Sequence, residues 1–404
     1  MNRKQTSALI WLCSLVYFVS YVGRINLAAT LVEVTASGFA ATHTAALALT
    51  LSSVTYGTGQ VVSGWMGDRF KPQHLILGGF TLTGLVNLCV SLLPNGSLLP
   101  VLWAVNGFAQ SLMWPPLVVI MSACLNEADY QKATVRVSWG SSFGTIAVYL
   151  LAPVLLPLAG LRSVFLLSAL LALSMGLVWA LVFRRTYAVY VPAGQSAKRT
   201  VSGEARMDRT GLVLIAFILL AILLQGSLRD GVSNWMPTLM ADTFRLSSSA
   251  SILTGVILPL FSLVSYQLTS YVHSRWLRSE MSCAGVIFGA GALAALVLYA
   301  TNAHSMLLSL LCLALLSASM HGVNLLLVCI TPRQFARYGR TGLISGVLNS
   351  ATYAGSALSG YGMALFSGAF GWHATIGLWM LIAMAGAAVC FALNPKWLSF
   401  RRDS

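Results

Sequence analysis

Charge is what this sequence has least of. Of 404 residues only 8% are Asp, Glu, Lys or Arg, and the acids number ten. A water-soluble domain carries about 25%, so a soluble enzyme and a disordered chain are both excluded. Polar stretches are equally scarce, the one long example being 185–209. The seven cysteines (Cys13, Cys89, Cys124, Cys283, Cys312, Cys329 and Cys390) form no CxxC pair and no metal spacing. That excludes a disulfide scaffold and leaves them as small apolar packing residues. No GxxxxGK[ST] stretch is present, so ATP does not drive this chain directly. No haem, iron–sulfur or zinc pattern and no catalytic constellation occurs, so we expect no cofactor, no metal and no enzymatic activity. The net charge of +14 does not point to nucleic acid, because the basic residues are scattered through short loops.

What is there is apolar length. The chain is 57% hydrophobic. A helix that crosses a bilayer needs roughly 20 apolar residues, and twelve such segments can be drawn: 8–32, 44–67, 74–93, 98–124, 134–158, 162–183, 210–239, 248–273, 281–300, 304–330, 341–366 and 372–394. They are too long and too continuously apolar for barrel strands. With the N-terminus in the cytoplasm, twenty of the 24 Lys and Arg fall on the cytoplasmic side and only Arg162 and Arg245 opposite. The positive-inside rule therefore puts both termini in the cytoplasm. The first segment is too long for a signal-peptide core and is read as a retained span.

The polar stretch divides the chain into six spans and six spans. We expect a first bundle at 1–184, a cytoplasmic linker at 185–209 and a second bundle at 210–404. Two landmarks repeat between the halves. Arg24 in span one matches Arg229 in span seven at an offset of 205, and the loop GWMGDRFK (64–71) matches SYVHSRWL (270–277) at 206. Duplicated halves with a site near the midplane are the build of secondary transporters.

Those two arginines lie inside spans, where a charge costs at least about 2.5–3.5 kcal/mol unless it lines a cavity or is paired. Tyr17, Tyr21, Arg24 and Ala28 recur at helical spacing and share one face. Two phenols and a guanidinium on one face suit an anion, because the planar fork of donors matches phosphate or carboxylate. Asp230 follows Arg229 but should point about 100° away on a helix. It shares a face with Asn234, one turn on, and is read either as charge balance or as a proton carrier.

Five stretches carry a resemblance. They are Tyr17-x-x-x-Tyr21-x-x-Arg24-x-Asn26; Tyr56-Gly57 followed by Gly64-x-x-x-Asp68-Arg69 and Pro72; Trp114-Pro115-Pro116; Leu228-Arg229-x-Gly231 with Trp235-x-Pro237-Thr238; and Tyr353 with Gly355. The loop around Asp68-Arg69 resembles the signature of the major facilitator superfamily. The whole set is similar to the organophosphate:phosphate antiporter family, whose members carry glycerol-3-phosphate and hexose phosphates. The resemblance implies an all-α integral membrane protein of the major facilitator fold, twelve helices in two six-helix halves related by a pseudo-two-fold axis. It implies rocker-switch alternating access, phosphoryl binding by Arg24 and Arg229 with Tyr17 and Tyr21 beside them, and a gate at Asp68 and Arg69. Gln60, Trp114, Trp139, Phe143, His321 and Tyr353 fall where site residues occur. Ser274 replaces the Asp in the second copy of the gate loop.

The departures concern the substrate. Gln60, Phe143 and Gly226 stand where the glycerol-phosphate type has lysine, histidine and tyrosine. Gly226 and Gly59 are read as leaving room, and Phe143 as packing against a larger or more apolar organic group. The expected function is secondary transport of a small anion, foremost a phosphorylated metabolite exchanged for inorganic phosphate, with a proton as the other coupling partner. A proton-coupled organic-acid symporter of the anion:cation symporter type and a sugar-phosphate-sensing receptor without transport are the alternatives. The expected partners are the anionic substrate and the lipid bilayer, with no nucleic acid. The expected state is a monomer in a bacterial inner membrane.

Overall fold

Apolar side chains on the outside announce the solvent of this protein: Leu158 is 78% exposed, and Leu92, Leu150, Val264 and Leu307 are each exposed by about two thirds. Such a surface belongs in lipid. The computed structural model describes residues 2–186, 209–245, 254, 257–301 and 304–402, and within them every regular element is helical. The linker expected at 185–209 lies outside the described residues except at its ends, as does the start of the eighth span, 248–253.

The helices are α1 (Arg3–Ala29), α2 (Leu31–Ala36), α3 (Thr42–Arg69), α4 (Pro72–Leu92), α5 (Leu99–Ser111), α6 (Trp114–Cys124), α7 (Glu127–Thr186), α8 (Arg209–Phe244), α9 (Ile257–Arg275), α10 (Glu280–Ala300), α11 (Met306–Asn324) and α12 (Thr341–Arg402). The side chains of Asn2 and Gln5 each accept from the other's backbone N–H, a capping box that starts α1. α7 has 60 residues, about 90 Å if straight, far more than one bilayer crossing needs. Gly160, at φ 72° and ψ 178°, breaks it into two helices. Gly371, at φ 76° and ψ 174°, does the same to α12. Only glycine adopts this backbone cheaply, so each is the turn between two consecutive spans. The span expected at 98–124 is split at Leu112 and Met113, because Pro115 and Pro116 have no N–H to continue the ladder of α5. Counted through these breaks, the helices make twelve spans.

Eight of the described helical stretches are long and apolar enough to cross a membrane by composition alone. α3, α9 and the first arm of α12 are not among them.

The chain divides into two compact units, Met1–Ala205 with Phe335–Val347, and Arg206–Gln334 with Leu348–Ser404. In the first unit Trp103, Phe165, Leu27 and Val90 form a buried apolar cluster, with Trp103 and Phe165 edge to face at 5.9 Å. In the second, the fully buried Glu280 accepts from Gln334 Nε2 (3.0 Å), Trp397 Nε1 (2.8 Å) and Arg401 Nη1 (3.1 Å). It fastens the start of α10 to the end of α12.

Lipid is as apolar as leucine, so helix association in a membrane relies on close packing at small residues. Each unit shows one such seam beside its arginine. A Cβ on Gly144 of α7 would lie 2.6 Å from the Phe18 carbonyl of α1. A Cβ on Gly355 of α12 would strike the Leu223 carbonyl of α8, also within 3 Å. Phe18 and Leu223 each stand six residues before the arginine of their unit. Gly226 meets Thr352 in the same seam, and Gly59 would collide with Ser111. The expectation that Gly226 and Gly59 leave room for a larger substrate is therefore corrected: helix backbone and side chains fill the space where their Cβ atoms would be.

Candidate functional site

In the first unit the arginine is set among aromatic rings. The guanidinium of Arg24 lies 3.8 Å from the centre of the Tyr56 ring on α3 and 5.5 Å from that of Tyr21, one turn back. Tyr17 packs on Tyr21 at 5.6 Å and edge-on against Trp114 at 5.3 Å. The helical face read from sequence thus exists, and it extends through Tyr17 to Trp114. The guanidinium over the Tyr56 ring is a cation–π contact, which offsets part of the cost of a charge inside the membrane.

In the second unit the arginine is held by a carboxylate. Arg229 Nε and Nη2 donate to Asp230 Oδ1 and Oδ2 at 2.7 and 2.9 Å. This corrects the expectation that Asp230 points away. A helical wheel gives Cβ directions only, and the long arginine side chain curls back to bring its fork edge onto its neighbour. Ser356 of α12 hydrogen-bonds the same carboxylate. Tyr353 lies 6.0 Å from the Arg229 guanidinium. Ser233 donates to the Arg229 carbonyl at 2.7 Å and approaches Ser317 Oγ at 3.4 Å. His321 packs edge-on against Tyr266 at 5.8 Å, and its Nδ1 is 2.9 Å from the Ser317 carbonyl.

Other expected site residues are placed as follows. Gln60 is fully buried on α3, where its carbonyl touches Gly346. Trp139 is half-buried and Phe143 is 49% exposed, both on α7. Asn234 is exposed, so of the two residues expected to share the coupling face, it is Asp230 that meets the arginine. Among the described residues no group of three His, Cys, Asp or Glu could hold a metal ion.

Sequence reasoning gave no role to Tyr56 or Tyr266. Tyr56 stood in a motif that marked only the resemblance. Tyr266 stands 206 residues after Gln60, the same offset that relates the two gate loops, and that offset was the signal available.

At the end of α3, Asp68 Oδ1 and Oδ2 accept from the Gly342 and Leu343 N–H groups at 2.7 and 2.8 Å. These are first-turn donors of α12, which the helix itself cannot satisfy, and a carboxylate there also meets the positive end of the helix dipole. Burial pushes the Asp68 carboxyl up to about 6, more than the two backbone N–H groups and Arg69 and Arg340 pull it down. Arg69 itself stacks on Trp65 at 4.2 Å. In the second copy of the loop, Ser274 donates to the Tyr271 carbonyl of its own helix, at 3.1 Å.

Twelve helical spans in two units, each with a membrane-embedded arginine, define a polytopic membrane transporter. The sequence profile of the Major Facilitator Superfamily matches residues 13–331, and the chain belongs to that superfamily. The glycerol-3-phosphate transporter of Bacillus subtilis is 23% identical over 418 residues, covering 95% of this chain and 91% of that protein. The "Probable hexose phosphate transport protein" of Chlamydia muridarum is 21% identical over 85% of this chain and 80% of its own. The membrane sensor protein UhpC of Salmonella typhimurium is 22% identical over 97% and 91%. Among solved structures, the proton:xylose symporter XylE superposes with a TM-score of 0.76 at 12% identity, covering 97% of this chain and 96% of that one. At that identity the likeness speaks for the fold.

Proposed function

We propose that this protein is a secondary carrier that exchanges a small phosphorylated metabolite for inorganic phosphate across a bacterial inner membrane, with both termini in the cytoplasm. The observation that carries the reading is the pair of embedded arginines at corresponding positions, one stacked on Tyr56 and one forked onto Asp230. The names of the relatives, a glycerol-3-phosphate transporter and a hexose phosphate transport protein, support a phosphoryl group as the anion.

Arg24 and Arg229 are the phosphoryl-binding guanidiniums in this reading. Tyr17 and Tyr21 supply phenol hydroxyls beside Arg24, and Tyr353 and His321 line the Arg229 side. Gln60, Trp114, Trp139 and Phe143 complete the binding set. In the empty carrier Asp230 balances Arg229, and an arriving phosphoryl group competes with it for the same fork edge. Reorientation of the loaded carrier is then easier than that of the empty one, which couples outward and inward movement. Asp68 and Arg69 form the cytoplasmic gate, through the cap that Asp68 places on the α12 helix end.

A second reading, sensing without transport, is favoured by one observation: the sensor UhpC is as similar as the transporters are. One experiment separates the two. Uptake of labelled phosphate is measured in proteoliposomes preloaded with unlabelled phosphate, for the wild type and for Arg24→Ala and Arg229→Ala. We expect exchange that requires both arginines. Saturable phosphate binding with no exchange establishes the sensor instead, and exchange that survives both substitutions overturns the paired-arginine site.

A further inference from the structure

Behind Arg24 the first unit holds a polar network inside apolar surroundings. Asn26, Asn87 and Asn106 are each fully buried, on α1, α4 and α5. Asn26 Nδ2 donates to Asn87 Oδ1 at 2.7 Å and to Ser168 Oγ, in the second arm of α7, at 3.0 Å. Asn106 Nδ2 donates to the Gly23 carbonyl at 3.0 Å, and Asn87 Nδ2 approaches the same oxygen at 3.4 Å. Asn26 Oδ1 accepts from the Leu27 N–H at 3.0 Å. Gly23 cannot carry a side chain here, because its Cβ would lie 2.8 Å from Thr83 Cγ2. Three helical segments therefore converge on the single turn of α1, 23–27, that bears Arg24.

Buried amides are a costly way to pack helices in lipid, where small residues suffice. The second unit does not repeat the network at its arginine: at the offset of 205, Gly23 and Asn26 correspond to Leu228 and Gly231, and the buried amide of that helix, Gln225, donates instead to the Met320 carbonyl at 3.0 Å. There the Arg229 fork is fixed directly, by Asp230. Residues two apart on a helix do not face each other, so Asn26 leaves the flank of α1 away from Arg24. It can act on that side chain only through the backbone.

We propose that Asn26, Asn87 and Asn106 are positioning residues for Arg24. They hold the Gly23 carbonyl and the turn around it so that the guanidinium stays over Tyr56. The proposal rests on the reading of Arg24 as an anion ligand, and its test separates the two.

Asn106→Leu removes the stronger amide donor to Gly23 at nearly constant volume. Trp179→Phe, which removes the Trp179 Nε1 bond to the Gln73 carbonyl, is the structural control. In phosphate exchange by proteoliposomes, Asn106→Leu raises KM about five-fold, the worth of one hydrogen bond, with maximal exchange within about two-fold of wild type. Trp179→Phe leaves KM unchanged. In the Arg24→Ala background Asn106→Leu adds nothing, as residues acting through one another require. A second measurement needs no substrate: phenylglyoxal labelling of Arg24 in the purified full chain, read by peptide mass spectrometry against Arg162. We expect Asn106→Leu to change the Arg24 rate about three-fold or more, Arg162 staying constant. If Asn106→Leu does not fold, Asn106→Ser carries the same test. Unchanged Arg24 labelling in a folded variant overturns the positioning role. Changed labelling in a protein that exchanges no phosphate supports it and overturns phosphate exchange alone.

Discussion

The two units solve the same problem, a guanidinium inside a membrane, by different chemistry. In the first, aromatic faces hold Arg24 and amides fix its backbone from behind. In the second, a carboxylate takes the fork of Arg229 edge-on. A cation–π contact uses no hydrogen-bond donor of the guanidinium, whereas a bidentate pair occupies two. In the proposed carrier the two arginines would act unequally, because an anion arriving at Arg229 must displace the carboxylate already on its fork.

The strongest way to break this comparison is to remove each arginine. Arg24→Ala should lower phosphate exchange about 100-fold, the loss of two charge-assisted hydrogen bonds. Arg24→Lys should lower it about ten-fold, because an ammonium cannot reproduce the fork. Exchange kinetics of a Lys variant matching wild type would show that only charge matters at Arg24.

The next effect is on stability. Arg229→Ala strands a mostly buried carboxylate, at a cost of about 3–5 kcal/mol, and Arg229→Ala with Asp230→Ala should recover most of it. Thermal unfolding of the two purified proteins tests this, and equal midpoints would mean the pair carries little energy. Asp230→Asn should lower the phosphate KM about five-fold, since the resident rival for the fork is weakened.

Smaller again is the aromatic support. Tyr56→Leu should raise KM by a factor of about 2–30, the worth of roughly 0.5–2 kcal/mol of cation–π contact. Tyr353→Leu, at 6.0 Å from its arginine, should do less. Equal effects would erase the contrast between the units.

A pH-dependent effect tests the contrast between the loop copies, where Asp68 accepts from the first-turn N–H groups of α12 and Ser274 donates within its own helix. Burial raises the Asp68 pKa to about 6, so the folded state holds that proton more tightly than the unfolded state. Stability relative to Asp68→Asn should therefore be greatest below about pH 4, fall as pH rises to 6, and level above it, by at most about 3 kcal/mol. Unfolding midpoints across that range measure it, and a flat difference would remove the buried carboxyl from the account.

Much of this was legible in the sequence for physical reasons. Spans are legible because lipid demands length and apolarity. The Tyr17–Tyr21–Arg24 face is legible because helical spacing fixes Cβ directions. What spacing cannot give is where a long side chain ends, which is why Asp230 was expected to point away from Arg229. Nor does it tell an empty glycine from a crowded one: Gly226 reads as space until Thr352 of a distant helix is seen against it. Tyr56 was hidden for a third reason, since α3 meets Arg24 only through tertiary packing.

The glycine seams have a consequence for descent. Where helices meet backbone to backbone, as at Gly144 with Phe18 and Gly355 with Leu223, the register of the bundle depends on a few missing side chains and hardly on the identity of the rest. At such seams a Cβ on the glycine is what would push the helices apart, whereas the lipid-facing positions set no spacing. Fewer than one residue in four shared with the glycerol-3-phosphate transporter over almost the whole chain is the degree of drift such an architecture tolerates.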